Sequence, residues 1–206
     1  FEKKSMDLRD CRFLVTGGGG FLGQYVCRNL DCFGISGDQI FTPRSSKYDL
    51  RNLDACMQAI EPNDVVIHLA AKVGGLWAHV NRQADFFYDN AMMSLNMVHA
   101  AHLRKAKKIV NLGTVCEYPD LASIPFREDD LWAGYPSAIT APYGMGKKMS
   151  LVAGNAYRAQ FGLSAIHLLL INLYGPGDDF NPETSHVIPA LIGRVKSCPN
   201  CESLTM

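Results

Sequence analysis

No charge of either sign is in excess: the 206 residues carry 20 Lys and Arg against 20 Asp and Glu. A chain without a basic or acidic surplus offers no general field for nucleic acid or a membrane surface, although a local cationic pocket can still hold a compact anion. Nor does any apolar run approach the ~18 residues of a membrane-spanning helix. Internal repeats, low-complexity tracts and interdomain linkers are absent. Ordered cysteine pairing is missing too, because the seven cysteines (Cys11, Cys27, Cys32, Cys56, Cys116, Cys198 and Cys201) are odd in number and scattered. With no secretory signal before them, reduced thiols in a cytoplasmic setting are expected. The chain opens on Phe1, as a processed, trimmed or engineered form would, with Met6 as a candidate native start.

What is present is a hydrophobic share of 48%, enough to fill a core. Short apolar runs, Cys11 to Thr16, Gln39 to Phe41, Val65 to Leu69, Lys108 to Leu112 and Ser164 to Leu170, read as strands. Several are apolar at nearly every position, which suits strands buried on both faces of a parallel sheet. Between them Phe21 to Leu30, Leu53 to Ile60, Ala84 to Leu103 and Tyr143 to Phe161 read as helices. The alternation predicts an α/β doubly wound parallel sheet of Rossmann type, whose ligands lie beyond the carboxyl ends of the strands. Asp120 to Pro142 reads as a surface excursion, and so long a loop is more often functional than not.

Directly after the first strand comes TGGGGFLG, with Gly17, Gly20 and Gly23 spaced G-x-x-G-x-x-G. Glycines there allow a tight turn and close backbone approach to a pyrophosphate, and the helix opening at Phe21 and Leu22 supplies free N–H groups and a positive dipole end. At the end of the second strand FTPRSSKYDL has no carboxylate before Asp49. NAD binders usually place an acidic residue there, whereas a 2′-phosphate asks for cations and hydroxyls. NADP(H) is therefore the expected cofactor, with Arg44 the foremost contact and Ser45, Asp49 and Leu50 in the same turn.

In APYGMGKKMS, Tyr143 and Lys147 stand at i and i+4 and share one helix face. A phenol has a pKa of ~10, so a phenolate at neutral pH needs about 4 kcal/mol of preferential stabilisation, part of which an ammonium supplies. Thr114, at the end of the fourth strand, adds a hydroxyl for a substrate oxygen or the phenol. VNLGTVCEYP reads as an apolar strand-like run, so alternation puts Thr114 and Cys116 on the same face, with Val115 on the other. Read without further context, Cys116 is a buried apolar residue and His186 a loop residue.

From Cys11 onward these motifs resemble the extended short-chain dehydrogenase/reductase superfamily. AAKVGGLWAH, GTVCEYP and NLYGPGDDFNPETSHVIPALIGR narrow the resemblance, to about Arg194, to its GDP-L-fucose synthase family. The resemblance implies an NADP-dependent epimerase/reductase that converts a GDP-linked 4-keto-6-deoxyhexose to GDP-L-fucose. Inverting C3 and C5 of such a sugar needs a base and an acid. The family's assignment carries these roles onto Cys116 and His186, while Thr114, Tyr143 and Lys147 serve reduction at C4. It also implies cofactor contacts from Leu69, Ala70, Ala71, Lys147, Asn172, Leu173 and His186, a substrate contact from Arg194, and a homodimer through the helices at Ala84 to Leu103 and Tyr143 to Phe161. Met92, Met93, Met97 and Met149 suit that packing or an internal core equally. Two regions are expected: residues 8–172 as the NADP-binding domain, and 173–206 as the start of a truncated sugar-nucleotide region. The alternatives are another sugar-nucleotide epimerase/reductase and a noncatalytic NADP-binding short form. CPNC at the end supplies half a zinc site or a redox pair. With no second pair an accidental spacing is preferred, and no metal is expected.

Overall fold

The computed structural model of the chain describes residues 7–181 and 185–197. Its five parallel strands are β1 Phe13–Thr16, β2 Ile40–Phe41, β3 Val65–His68, β4 Lys108–Thr114 and β5 Ala165–Leu170, in the sheet order β2-β1-β3-β4-β5. The helices are α1 Phe21–Cys32, α2 Leu53–Ala59, α3 Leu76–Asn81, α4 Gln83–Leu103, α5 Ala141–Phe161 and α6 Val187–Ser197. This is the expected doubly wound sheet, with Phe13 beside Val65, Val65 beside Lys108, and Ile109 beside Ala165.

Strand alternation sorts the core into two layers. Leu14, Val66, Ile109 and Ala165 pack with Met97, Val98, Ala100 and Ala101 of α4 and Ala153 of α5. Phe13, Val15 and Val65 point the other way, against Val26 and Leu30 of α1. Each fully buried Leu, Ile or Met contributes roughly 1.5–3 kcal/mol, so both layers stabilise the sheet. Met97 is wholly buried in the first layer, which settles the choice between core and dimer face for that residue. Local chemistry sets the helix ends: the Asn52 side chain caps α2 by accepting from the Asp54 N–H, and α5 opens with Pro142 in its first turn and stops at Gly162, whose φ is 72°.

One expectation is corrected. Burial on both strand faces holds for β1 but fails for β5, an edge strand whose Ile166 and Leu168 are exposed. Helices α3 and α6 add to those expected; α3 is too short to show a periodicity. The segment from Asp120 to Pro142 runs over the surface, as expected, and is anchored there. Leu131 is buried, the rings of Tyr118 and Phe126 stack, and Lys148 of α5 reaches up to donate to the Leu131 carbonyl (2.5 Å) with its ammonium 4.0 Å from the Trp132 ring centre.

Candidate active site

The strand order reverses between β1 and β3, and in folds of this kind ligands bind beyond the carboxyl strand ends at that point. There the glycine turn is closed by the Gly20 N–H donating to the Gly17 carbonyl (2.9 Å). Gly17 has a φ of 70°, and a Cβ there would press on the Ala70 backbone at 3.0 Å. A Cβ on Gly23 would overlap the Gly17 carbonyl oxygen. Glycine is thus required for α1 to sit against the turn. No side chain caps α1, so its first N–H groups stay free for an anion. The Thr16 hydroxyl clamps the turn to the third strand, accepting from the Ala70 N–H (3.2 Å) and hydrogen-bonding His68 Nδ1 (2.8 Å). Burial pushes the His68 pKa down to about 3, so this imidazole is neutral.

Around the turn, Phe21 and Leu22 are half-buried in the first turn of α1, and Leu69, Ala70 and Ala71 are half-buried just after β3. Arg44 lies across Gly19: a Cβ on that glycine would collide with the guanidinium. Arg44 and Ser45 are exposed. The Asp49 carboxylate is held by Arg51 at 2.7 Å. The Leu50 side chain belongs to the core, where the chain turns inward to start α2. Asn172 and Leu173 are exposed after β5, where the Tyr25 hydroxyl donates to the Pro176 carbonyl (2.8 Å) and ties this loop to α1.

The catalytic candidates gather at the carboxyl end of β4. The strand stops at Thr114, and Val115–Glu117 form a single 3-10 turn. Thr114 and Cys116 therefore do not share a strand face. Their proximity comes from a cap: Thr114 Oγ1 accepts from the Cys116 N–H (3.3 Å), and the Glu117 carboxylate accepts from the Thr114 N–H (2.9 Å). This capping box outcompetes continued pairing. Tyr143, in the first turn of α5, lies close enough to the Thr114 hydroxyl and to Cys116 for both to bear on its acidity. Gly144 permits the approach, since a Cβ there would overlap the Cys116 carbonyl. His186 is exposed just before α6 and acts electrostatically on His79, whose ring meets that of Tyr143 edge-on at 5.4 Å. Thr114, Cys116 and Tyr143 are thus brought together, and His186 lies within electrostatic reach of His79. Arg194 is exposed in the last turn of α6. Cys198 and Cys201 lie outside the described residues.

The surroundings of the phenol oppose a phenolate. Burial holds the Tyr143 phenol above its ordinary pKa, the negative charges of Cys116 and Glu117 push the same way, and only the Thr114 hydroxyl opposes them. Tyr143 accordingly keeps its proton at neutral pH, which suits an acid in a reduction. Lys147, one turn on and buried, is pushed down to about 8 by desolvation, against the pull of Glu117. The ordinary value is 10.5, so the unfolded chain binds this proton more tightly. Charged Lys147 therefore costs stability below pH 8, and the cost fades as the pH rises from about 8 toward the unfolded value. Lys147→Met is expected to be roughly 3 kcal/mol more stable than wild type at pH 7. The gap should shrink progressively as urea melts are repeated up to pH 10. A variant less stable at pH 7 contradicts the assignment of a strained, buried ammonium.

Residue-by-residue reading missed Gly144, Glu117, His167 and His79. Gly144 and Gly146 carried a signal: glycine in a helix costs up to ~1 kcal/mol each and needs a packing reason. Here Gly146 lets α5 approach the Phe87 carbonyl of α4 to 3.0 Å from where a Cβ would be.

The parallel sheet, with the glycine turn after β1 and the Thr114–Cys116 turn after β4 both at carboxyl strand ends, is a Rossmann-type dinucleotide-binding fold. The chain belongs to the NAD dependent epimerase/dehydratase family, whose model matches residues 13–205. It is 36% identical over 187 residues to the GDP-L-fucose synthase of Escherichia coli strain K12, covering 89% of this chain and 57% of that protein. A solved GDP-L-fucose synthetase from Naegleria fowleri bound to NADP superposes with a TM-score of 0.81 at 32% identity, over 94% of this chain and 64% of that one. A GDP-6-OMe-4-keto-L-xylo-heptose reductase from C. jejuni superposes at 0.84 with 28% identity, over 91% and 54%. The chain thus spans rather more than half the length of the curated relatives it matches.

Proposed function

We propose that this chain carries the cofactor-binding and proton-transfer half of an NADP-dependent epimerase/reductase that converts GDP-4-keto-6-deoxy-D-mannose to GDP-L-fucose. The observation that carries the reading is the convergence of Tyr143, Thr114 and Cys116 on one turn beside the glycine cradle. Residues 8–172 form the cofactor domain and 173–206 begin the sugar-nucleotide region. The cradle fits a dinucleotide because Gly17 and Gly23 let α1 pack directly on the turn, which leaves the uncapped N–H groups of its first turn for a pyrophosphate. Gly17, Gly20, Gly23, Phe21 and Leu22 line the pyrophosphate end, with Leu69, Ala70, Ala71, Lys147, Asn172, Leu173 and His186 along the rest. Arg44 over Gly19, with Ser45, supports NADP(H) over NAD, since a guanidinium there matches a 2′-phosphate. When bound, NADPH supplies the hydride for C4.

The residues then divide the proton work. The Cys116 thiolate removes a proton at C3 or C5, and His186 returns one on the opposite face; keto-sugar acidity makes both exchanges feasible. Thr114 orients the C4 oxygen and Tyr143 gives it a proton as the alkoxide forms. Arg194 offers a fork to the diphosphate.

The test is incubation with NADPH and the GDP keto sugar in deuterium oxide, following nicotinamide absorbance and deuterium in the recovered sugar. Wild type is expected to place deuterium at C3 and C5, and Cys116→Ser to lose about 100-fold or more of that exchange. Reduction without deuterium at either carbon favours a second reading, a C4 reductase of another GDP-linked keto sugar. The likeness to the C. jejuni heptose reductase supports that alternative. An unchanged Cys116→Ser removes Cys116 as the base.

A homodimer through α4 and α5 is part of the proposal. Phe87, Tyr88, Leu95 and Val152 are exposed on these helices, beside an apolar hollow of about 370 Å³ lined by Ala84, Phe87, Pro142 and Met145. A cytoplasmic setting agrees with the free thiols of Cys11, Cys27, Cys32, Cys56 and Cys116. No helix among the described residues is long and apolar enough to cross a membrane.

A further inference from the structure

A buried polar array behind the catalytic turn has no part in the chemistry above. The Glu117 side chain is fully buried and accepts from the Thr114 N–H (2.9 Å) and from His167 Nε2 of β5 (3.0 and 3.2 Å). On the far side of the imidazole, Nδ1 lies 3.2 Å from the Ser150 hydroxyl, which itself donates to the Lys147 carbonyl (2.8 Å). A carboxylate only accepts, so Nε2 carries the hydrogen that it shares with Glu117. Gly113 makes room for the pair: a Cβ there would overlap both His167 Nε2 and Glu117 Oε1.

The array therefore runs from the backbone of Thr114 to the backbone of Lys147, from one half of the catalytic group to the other. It crosses β4, β5 and α5 with the side chains of Glu117, His167 and Ser150 almost wholly buried. A buried pair of this kind contributes little net stability compared with well-packed apolar residues, so its presence asks for another reason. We propose that Glu117 and His167 are positioning residues of this site, holding the Thr114–Cys116 turn in register with α5 and placing a carboxylate behind Lys147. The inference rests on the proposed roles of Thr114, Cys116 and Lys147. The titratable groups that sense the carboxylate are His167 of β5, Tyr143, Lys147 and Lys148 of α5, and neighbouring Tyr118.

Two readouts on the full chain separate this role from plain structural filling, and neither needs turnover. Carbon-13 at the lysine ε position reports the Lys147 titration, assigned by its loss in Lys147→Arg. Iodoacetamide labelling resolved by peptide mass reports access to Cys116. Glu117→Gln keeps an acceptor for Thr114 and loses the charge. It is expected to move the Lys147 midpoint to lower pH by about half a unit or more while leaving Cys116 labelling within about twofold of wild type. Glu117→Leu and His167→Leu both cut the array and are expected to speed Cys116 labelling about threefold or more, through local opening of the turn. If one leucine variant does not fold, the other carries the comparison. An unmoved Lys147 midpoint in Glu117→Gln overturns the proposal, as does unchanged labelling in the folded leucine variants. Failure of the wild type to reduce any keto sugar would count against the proposed function and leave these two measurements to decide the positioning role by themselves.

Discussion

Tyr143→Phe is expected to lower keto-sugar reduction by roughly 10²- to 10⁴-fold while NADPH affinity stays within about twofold. The substitution removes one hydroxyl and keeps the ring, so the edge-on contact with His79 and the packing on Phe86 survive. What is lost is the proton that burial and the nearby negative charges hold on the phenol at neutral pH. Hydride arriving at C4 leaves an alkoxide, and without a positioned acid that charge develops unneutralised in a site where solvent is scarce. Single-turnover decay of nicotinamide absorbance isolates the step, and fluorescence titration gives the cofactor affinity. Loss of less than about tenfold would show that another group, with His79 first in line, delivers the proton.

Gly23→Ala has the second large effect: NADPH affinity falls about 100-fold, close to 2.7 kcal/mol, and the fold is destabilised by roughly 1–3 kcal/mol. The added methyl would occupy the position of the Gly17 carbonyl oxygen and press on Gly18, both backbone. No rotamer relieves a backbone clash, so α1 must move away from the turn and carry its free N–H groups with it. Gly37→Ala is the control, because nothing lies within 4 Å of its Cβ position. Calorimetric titration with NADPH and urea melts of both variants make the comparison. A Gly23→Ala chain that binds NADPH like wild type would remove this turn from the cofactor site.

Legibility in the sequence followed the range of the interaction. The five strands lie where apolar runs had indicated, with ends shifted by a few residues, and the glycine turn sits where the first strand stops. Tyr143 and Lys147 were legible because four residues on a helix is a local geometry. The relation of Thr114 to Cys116 was misjudged: the alternation argument presumes an unbroken strand, and the Glu117 side chain ends it by bonding back to the Thr114 N–H. That the Leu50 side chain turns into the core was not legible, because sequence proximity to Arg44 says nothing about which way a turn faces. The balance of forces on the phenol was not legible for a related reason. A spacing shows that an ammonium is near, but burial, which opposes the phenolate, depends on everything packed around it.

By itself, then, the amino-acid order determined the class of fold, the phosphate-binding turn and the residue types available for proton transfer. Each of these follows from hydrophobic periodicity, glycine's missing side chain or helical spacing. Only the tertiary structure decided that Glu117 meets His167 across fifty residues of chain, that Gly144 lets Tyr143 reach the Cys116 turn, and that Tyr143 keeps its proton. Those outcomes depend on contacts between segments distant in sequence and on the low polarity of the space they enclose, and no local pattern encodes either.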